Sequence, residues 1–176
     1  MLPLGECCPW GLPCAKTNPS LMHGWGAWGA SWTWSLVLVA VTIALHVIAV
    51  VLIGSGIEKV RGRLLRRGST YLDGMTGSIV VIVAIALLLA FMHGVECMIW
   101  AVVYVRLGAL PSPADAVLYS VDSMTTRGAS GLALAGQWRL MGAAEAGDGM
   151  LLFGLSTAFL FYVMLRLWKT DVRLDG

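Results

Sequence analysis

Charged residues are scarce in this chain of 176 residues. Asp, Glu, Lys and Arg together make up 12% of it and hydrophobic residues 58%, whereas an ordinary soluble domain has about 25% charged residues. This composition excludes a typical soluble globular protein and indicates a membrane protein. The net charge of +2 is too small to indicate nucleic-acid binding, which needs clustered positive charge.

Motifs of catalysis are also missing. The chain has no HExxH sequence and no plausible Ser-His-Asp set. These absences predict that the protein is not an enzyme and needs no cofactor. The chain also has no soluble regulatory domain, so we do not expect gating by a domain of that kind.

Three long apolar segments are present, at residues 31–57, 78–107 and 140–168. A bilayer core is about 30 Å thick and a helix rises about 1.5 Å per residue, so each segment is long enough to cross. The sequence therefore predicts an all-α integral membrane protein with three transmembrane helices.

The connector 58–77 contains most of the basic residues near the spans. Five Lys or Arg residues stand there against only Glu58 and Asp73, so we expect it to be cytoplasmic. Three crossings then place a flexible N-terminal segment, 1–30, outside and the tail 169–176 in the cytoplasm. The expected location is the bacterial inner membrane.

A shorter segment with a helix start signal lies within the connection 108–139. Ser112 is a good N-cap, Pro113 suits the first helical position, and Asp115 puts negative charge near the positive end of the helix dipole. A helix from Pro113 to Met124 measures about 18 Å, too short to cross. We predict a re-entrant helix followed by a polar loop; a surface loop is the alternative.

The residues of this segment resemble the pore module of bacterial potassium-channel-like proteins. The resemblance covers residues 76–168 and is carried by DAVLYSVDSMTTRGASG at 115–131, WRL at 138–140 and GMLLFGLSTAFL at 149–160. It implies an outer helix, a pore helix with a filter loop, and an inner helix, with one additional helix before them. It also implies a homotetramer around a central pore in the lipid bilayer.

The filter of that family has Thr, an apolar residue, Gly, Tyr, Gly and Asp in succession. The aligned residues here are TRGASG at 126–131, and only Thr126 and Gly128 match. The resemblance implies passive conduction of a monovalent cation such as potassium or sodium with weak or altered selectivity. The implied ion-binding residues are Thr125, Thr126, Arg127, Gly128, Ala129 and Ser130.

Arg127 replaces the apolar residue that packs behind the filter in that family. A cation buried at this depth needs a partner, and Asp122, on the last turn of the short helix, is five residues earlier. We expect an Asp122–Arg127 pair that braces the loop and leaves the cation path open. A non-conducting membrane subunit plugged or braced by Arg127 and an anion-permeable pore lined by Arg127 are the alternatives.

Ionisable residues also lie within the spans. His93 and Glu96 share one helix face and are interpreted either as a pH-sensing pair or as a contact that locks the second helix to its neighbours. Glu145 and Asp148 suit the positive end of the helix dipole, or an acidic ring at the outer mouth of a pore. His46 is interpreted as a packing residue.

Small residues in the third span allow either bending or close packing. Gly149 and Gly154 are the candidate hinge of the implied inner helix.

Cys7, Cys8 and Cys14 lie in the N-terminal segment, where a disulfide is plausible if the segment is external. Their spacing fits no metal motif, so we predict no metal site.

Overall fold

The protein is a helical bundle in the computed structural model, which describes residues 20–66, 75–128 and 131–171. No strand occurs in these ranges. The elements are α1 (Ser20–Arg66), α2 (Met75–Arg106), α3 (Pro113–Met124), a 3₁₀ turn (Gly136–Trp138) and α4 (Arg139–Asp171).

Three of the helices are long and apolar enough to cross a membrane. Their candidate spans are Trp28–Val60, Thr76–Arg106 and Gly136–Leu167. The all-α class predicted from the sequence is confirmed, and so is the presence of three helices long and apolar enough to span a membrane. Large apolar side chains remain exposed along all three, for example Leu52, Leu87 and Met150 at 63%, 67% and 63%, as expected for surfaces that face lipid.

The long helices extend beyond the predicted spans. The connector was expected to begin at residue 58, yet α1 continues as a helix to Arg66. Lys, Arg and Leu favour helices, and the basic residues Arg63 and Arg66 in its last turn suit the negative end of the helix dipole. Glu58 also forms an ion pair with Arg166 of α4. Cys7, Cys8, Cys14 and the first part of segment 1–30 lie outside the described residues.

The short helix α3 has the bounds that its start signal and length predicted. Ser112 is extended, with φ −116° and ψ 134°, and its side chain accepts a hydrogen bond from the Asp115 N–H. Pro113 occupies the first helical turn, where its missing N–H costs nothing. Local capping chemistry therefore determines where α3 begins.

The two connections of α3 meet at one end of the bundle. The N–H of Ala135 donates to the carbonyl of Ala109 at 3.2 Å, and Leu110, Leu134 and Trp138 are buried around this bond. At the other end of α3, Met124 is 1% exposed, and its Sδ lies 3.5 Å from Cys97 Sγ of α2. The chain therefore enters and leaves this segment on the same side.

Two apolar clusters form the core of the part of the chain that the structure describes. One includes Trp100, Met124 and Leu152, near α3. The other includes Leu89 and Val163, toward the far ends of α2 and α4. The helices α1, α2 and α4 carry buried polar side chains between these clusters, and those side chains form much of the candidate site.

Candidate functional site

The polar loop begins as a cap on the carboxyl end of α3. The N–H of Arg127 donates to the carbonyl of Asp122, and the N–H of Thr126 donates to the carbonyl of Ser123, both at 2.9 Å. These are the two hydrogen bonds of a Schellman motif. Thr126 has the left-handed conformation that the motif requires, with φ 56°, although glycine is usual there. Backbone bonds thus hold the start of the loop against the helix.

The side chains of Asp122 and Arg127 form an ion pair across this cap. Arg127 Nε donates to Asp122 Oδ1 at 2.5 Å, with the Arg127 side chain 60% exposed and that of Asp122 only 3% exposed. Schellman motifs often have an apolar contact between these two positions, and here the ion pair replaces it. The hydrogen bond to Asp122 raises the pKa of Arg127 above its usual value, and the carboxylate charge adds to the effect.

The other predicted filter residues lie along the exposed side of the cap. Thr125, Thr126, Arg127 and Gly128 are exposed on the single chain, and the Thr125 hydroxyl donates to the carbonyl of Val121 at 2.7 Å. Ala129 and Ser130 lie outside the described residues. The loop therefore presents backbone and hydroxyl groups on a surface that the chain itself does not cover.

Glu145 lies inside the bundle, between α2, α3 and α4. Tyr104 Oη donates to Glu145 Oε2 at 2.6 Å, and Ser120 Oγ of α3 donates to Glu145 Oε1. The carboxylate is completely buried, so it does not lie on the exposed surface that an acidic ring at an outer mouth would need. Burial raises the pKa of the neighbouring Tyr119 on α3, and the charge of Glu145 raises it further.

Asp148 lies about one turn further along α4 and is also interior, at 1% exposed. Its Oδ2 atom lies 2.6 Å from Thr42 Oγ1 of α1 and accepts a hydrogen bond from Trp100 Nε1 of α2 at 3.3 Å. Asp148 therefore joins α4 to two other helices. Like Glu145, it does not face the surface of the single chain.

Four buried side chains form a closed hydrogen-bonded ring, here called the polar ring, made of His46, His93, Glu96 and Ser156. Glu96 Oε1 lies 2.8 Å from His46 Nδ1, and Glu96 Oε2 lies 3.0 Å from His93 Nδ1. Ser156 Oγ lies 3.1 Å from His93 Nε2 and 3.0 Å from His46 Nε2. The ring connects α1, α2 and α4.

A metal ion can be held where three or more His, Cys, Asp or Glu side chains bring their ligand atoms close together. Within the described ranges one such group occurs, and it belongs to the polar ring. These are His46, His93 and Glu96, with donor atoms within 4.8 Å of one another. All four imidazole nitrogens, however, lie within 3.1 Å of a ring oxygen. We therefore describe the set as a hydrogen-bond network.

Only part of this interior could be predicted from the sequence. The three-residue spacing of His93 and Glu96 predicts that they share a helix face, whereas the contacts of His46 and the hydrogen-bonding partners on the other helices were not predicted. The spacing of Glu96, Trp100 and Tyr104, four residues apart in each case, places them along one face of α2. That pattern was a usable signal. The missed residues are Thr42, Trp100, Tyr104, Ser120 and Ser156.

The two candidate hinge glycines have different surroundings. α4 runs as one helix through both of them. A Cβ atom at Gly149 would lie 2.7 Å from Met124 Cγ and closer still to the Met124 carbonyl, whereas one at Gly154 would meet nothing within 4 Å. Gly149 thus permits close approach of α3 and α4.

Replacement of Tyr104 with Phe is expected to lower stability by about 1–3 kcal/mol, because Glu145 loses a buried hydrogen-bond donor while the ring is kept. Thermal unfolding of the purified protein in detergent measures the change. The matched control is Tyr162→Phe, since Tyr162 is 53% exposed and its change should be within about 0.5 kcal/mol. Equal stability of the two variants would contradict a contribution from the Tyr104 hydroxyl.

The predicted residues thus divide into two groups. Asp122 and Arg127 lie at the end of α3, whereas His93, Glu96, Glu145 and Asp148 lie in the interior of the bundle.

No protein-family model, curated protein or solved structure matches this chain.

Proposed function

We propose that the protein is the subunit of a homotetrameric ion channel, in which α3 is the pore helix and the loop after it lines a cation path of weak or altered selectivity. The depth reached by the end of α3 carries this proposal. Met124 contacts Cys97 and lies against Gly149. These residues are about 14 and 15 Å along α2 and α4 from the ends near the α3 connections. In a core of about 30 Å, that is close to the middle.

The return of the chain to its starting side supports the same proposal. The Ala135–Ala109 hydrogen bond joins the segments before and after α3. A segment that reaches the middle of a membrane and returns to the same side has the path of a pore loop. The Schellman cap, whose Thr126 lies just after Met124, is then at the deepest point.

The exposed loop supports an assembly of several copies. Irregular backbone at membrane depth is tolerated only where it lines water or is buried in protein, yet residues 125–128 are exposed on the single chain. Leu118 and Val121 on α3 are 46% and 42% exposed and provide an apolar surface for a neighbouring copy. The number of four subunits comes from the sequence resemblance.

The charges near the loop favour a cation as the conducted ion. Arg127 is compensated by Asp122 at 2.5 Å, and the carboxyl end of α3 carries partial negative charge. Backbone carbonyls of Arg127 and Gly128, together with Thr125 and Thr126, can replace part of the hydration shell of an ion. Potassium or sodium is therefore the expected transported ion.

A non-conducting membrane subunit is the second candidate, and the Schellman cap favours it. The N–H groups of Thr126 and Arg127 are bonded back to α3, so the start of the loop follows the end of the helix. The Arg127 side chain, 60% exposed, then lies on the surface that would face the axis. Four such side chains around an axis would obstruct a narrow pore.

Flux into liposomes tests the proposed function. Purified full-length protein is expected to pass potassium or sodium but not chloride, and Arg127→Leu is expected to retain cation flux, since it removes a positive charge from the loop and leaves Asp122 negative. Arg106→Leu, which removes an exposed positive charge at the end of α2, is the control. Native mass spectrometry of the same sample is expected to show four copies.

The other results each contradict the cation channel. Cation flux that is absent in wild type and appears in Arg127→Leu would indicate an arginine plug. Chloride flux that disappears in Arg127→Leu would indicate an anion pore. Absence of all flux in both proteins would indicate a non-conducting subunit.

A further inference from the structure

We propose that the polar ring is a proton-binding site in the membrane interior. The reference state has two neutral histidines and an ionised Glu96, and the ring holds one proton more than that state. The ring has four contacts of 2.8–3.1 Å, and each contact needs one hydrogen between its two heavy atoms. The number of available hydrogens can therefore be compared with the number of contacts.

Two neutral imidazoles and the Ser156 hydroxyl supply one hydrogen each, and an ionised carboxylate supplies none. If both imidazoles donate from Nδ1 to Glu96, both Nε2 atoms present lone pairs to Ser156 Oγ. The hydroxyl can donate to only one of them. The fourth contact would then bring two acceptors to about 3 Å of each other with no hydrogen between them.

One added proton satisfies all four contacts. A protonated His46 donates to Glu96 and to Ser156, Ser156 donates to His93 Nε2, and His93 donates from Nδ1 to Glu96. Transfer of the proton to Glu96 gives a carboxylic acid and two neutral histidines, again with four hydrogen bonds. The proton thus belongs to the ring as a whole, and its uptake turns a negatively charged ring into a neutral one.

The surroundings of the ring favour this neutral state. The ring lies between the two apolar clusters, and Phe153 stacks on His93 with 4.1 Å between ring centroids. Asp148 on α4 interacts electrostatically with both Glu96 and His46, and its carboxylate adds no positive charge to the surroundings of the ring. The Cys97 thiol on α2 also lies close enough to Glu96 to interact with it. On α3, Asp122 is paired with Arg127. No Lys or Arg is found among the buried side chains that the structure describes.

Proton binding also affects how the helices pack. Ser156 belongs to α4, His46 to α1 and His93 to α2, so the hydroxyl joins α4 to both of the other helices. Loss of the proton leaves three hydrogens for four contacts, and when both imidazoles donate from Nδ1 to the charged Glu96, the contact that is lost is one of the two made by Ser156. The packing of α4 therefore depends on pH. An effect on conduction rests on the proposed channel function, whereas proton binding does not.

Glu96→Gln is the matched variant for testing this proposal. The glutamine side chain has nearly the same shape, and its amide supplies the fourth hydrogen: the oxygen accepts from His46 and the NH₂ donates to His93. Both histidines can then be neutral with all four contacts satisfied. The variant is expected to fold with wild-type stability within about 1 kcal/mol and to lose the extra proton.

The measurement is nitrogen NMR of ¹⁵N-histidine-labelled protein in lipid nanodiscs, titrated from acid to alkaline pH, with infrared detection of a protonated carboxyl. The chain has three histidines, and a His23→Gln background leaves only those of the ring. Wild type is expected to release one proton per chain in a single step that changes the signals of His46 and His93 together. Glu96→Gln is expected to show no such step and neutral histidines throughout.

Ser156→Ala gives a second test if Glu96→Gln fails to fold. Without the hydroxyl, two Nδ1–H groups satisfy Glu96 and no extra proton is needed, so the shared step should again disappear. The proposal is overturned by separate, independent steps for the two histidines, by a step that persists in a folded variant, or by neutral histidines beside an ionised carboxylate in wild type. A stoichiometric metal ion at the ring, found by elemental analysis, would also overturn it. Flux of potassium, sodium or chloride has no bearing on these results.

Discussion

Asp122→Asn is expected to reduce cation flux through the proposed channel by at least about tenfold. Asparagine keeps the shape of the side chain and leaves the backbone bonds of the cap in place, but Arg127 loses the charge that compensates it at 2.5 Å. Two unit charges 4 Å apart at an effective dielectric constant near 20 repel by about 4 kcal/mol. Each 1.4 kcal/mol of added barrier slows passage about tenfold. Liposome flux of potassium and sodium measures the effect.

The double variant Asp122→Asn with Arg127→Gln tests whether charge is the cause. Removal of both charges is expected to restore flux to within about threefold of wild type, since the loop again carries no net charge. Asp115→Asn, which neutralises a carboxylate in the first turn of α3, is the control and should change flux by less than about twofold. Two results would contradict the idea that the Asp122 carboxylate neutralises the charge of Arg127. One is unchanged flux in Asp122→Asn, and the other is an equal loss of flux in the double variant.

Gly149→Ala is expected to destabilise the protein by about 1–3 kcal/mol or more and to abolish flux. The added Cβ would lie 2.7 Å from Met124 Cγ, and the Met124 carbonyl, a backbone atom, is closer still. A side chain can change rotamer to make room, but the carbonyl moves only if the end of α3 moves. Because the loop begins at that end, its position should be lost together with the packing. Thermal unfolding in detergent and liposome flux measure the two effects.

Gly154→Ala is the matched control, on the same helix. A Cβ there meets nothing within 4 Å, and alanine favours a helix over glycine by about 1 kcal/mol. Unchanged or slightly higher stability with normal flux is therefore expected. If Gly154→Ala abolishes flux while Gly149→Ala does not, the two glycines would have the opposite roles, with Gly154 as a hinge.

Much of the local structure could be predicted from the sequence. The helix Pro113–Met124 follows from Ser112, Pro113 and the polar residues after Met124, and the structure has the same bounds. The three spans follow from hydropathy and length. Each of these features depends on residues close together in the chain, so the sequence contains the necessary information. Hydropathy alone does not predict the extension of α1 to Arg66, because it detects the apolar span and not the Lys and Arg residues after it, which are good helix formers.

Hydropathy, segment length and capping signals are enough to indicate a membrane-embedded protein, to place its helices, and to find the ionisable residues within the apolar helices. Which of those residues contact one another depends on the tertiary structure. His46 lies 50 residues from Glu96, Thr42 lies 106 from Asp148, and Ser156 lies 110 from His46. Hydropathy places a residue at a depth, but it does not say how each helix is rotated about its axis. That rotation results from the packing of side chains from all the helices at once, and it turns isolated polar residues into a closed ring.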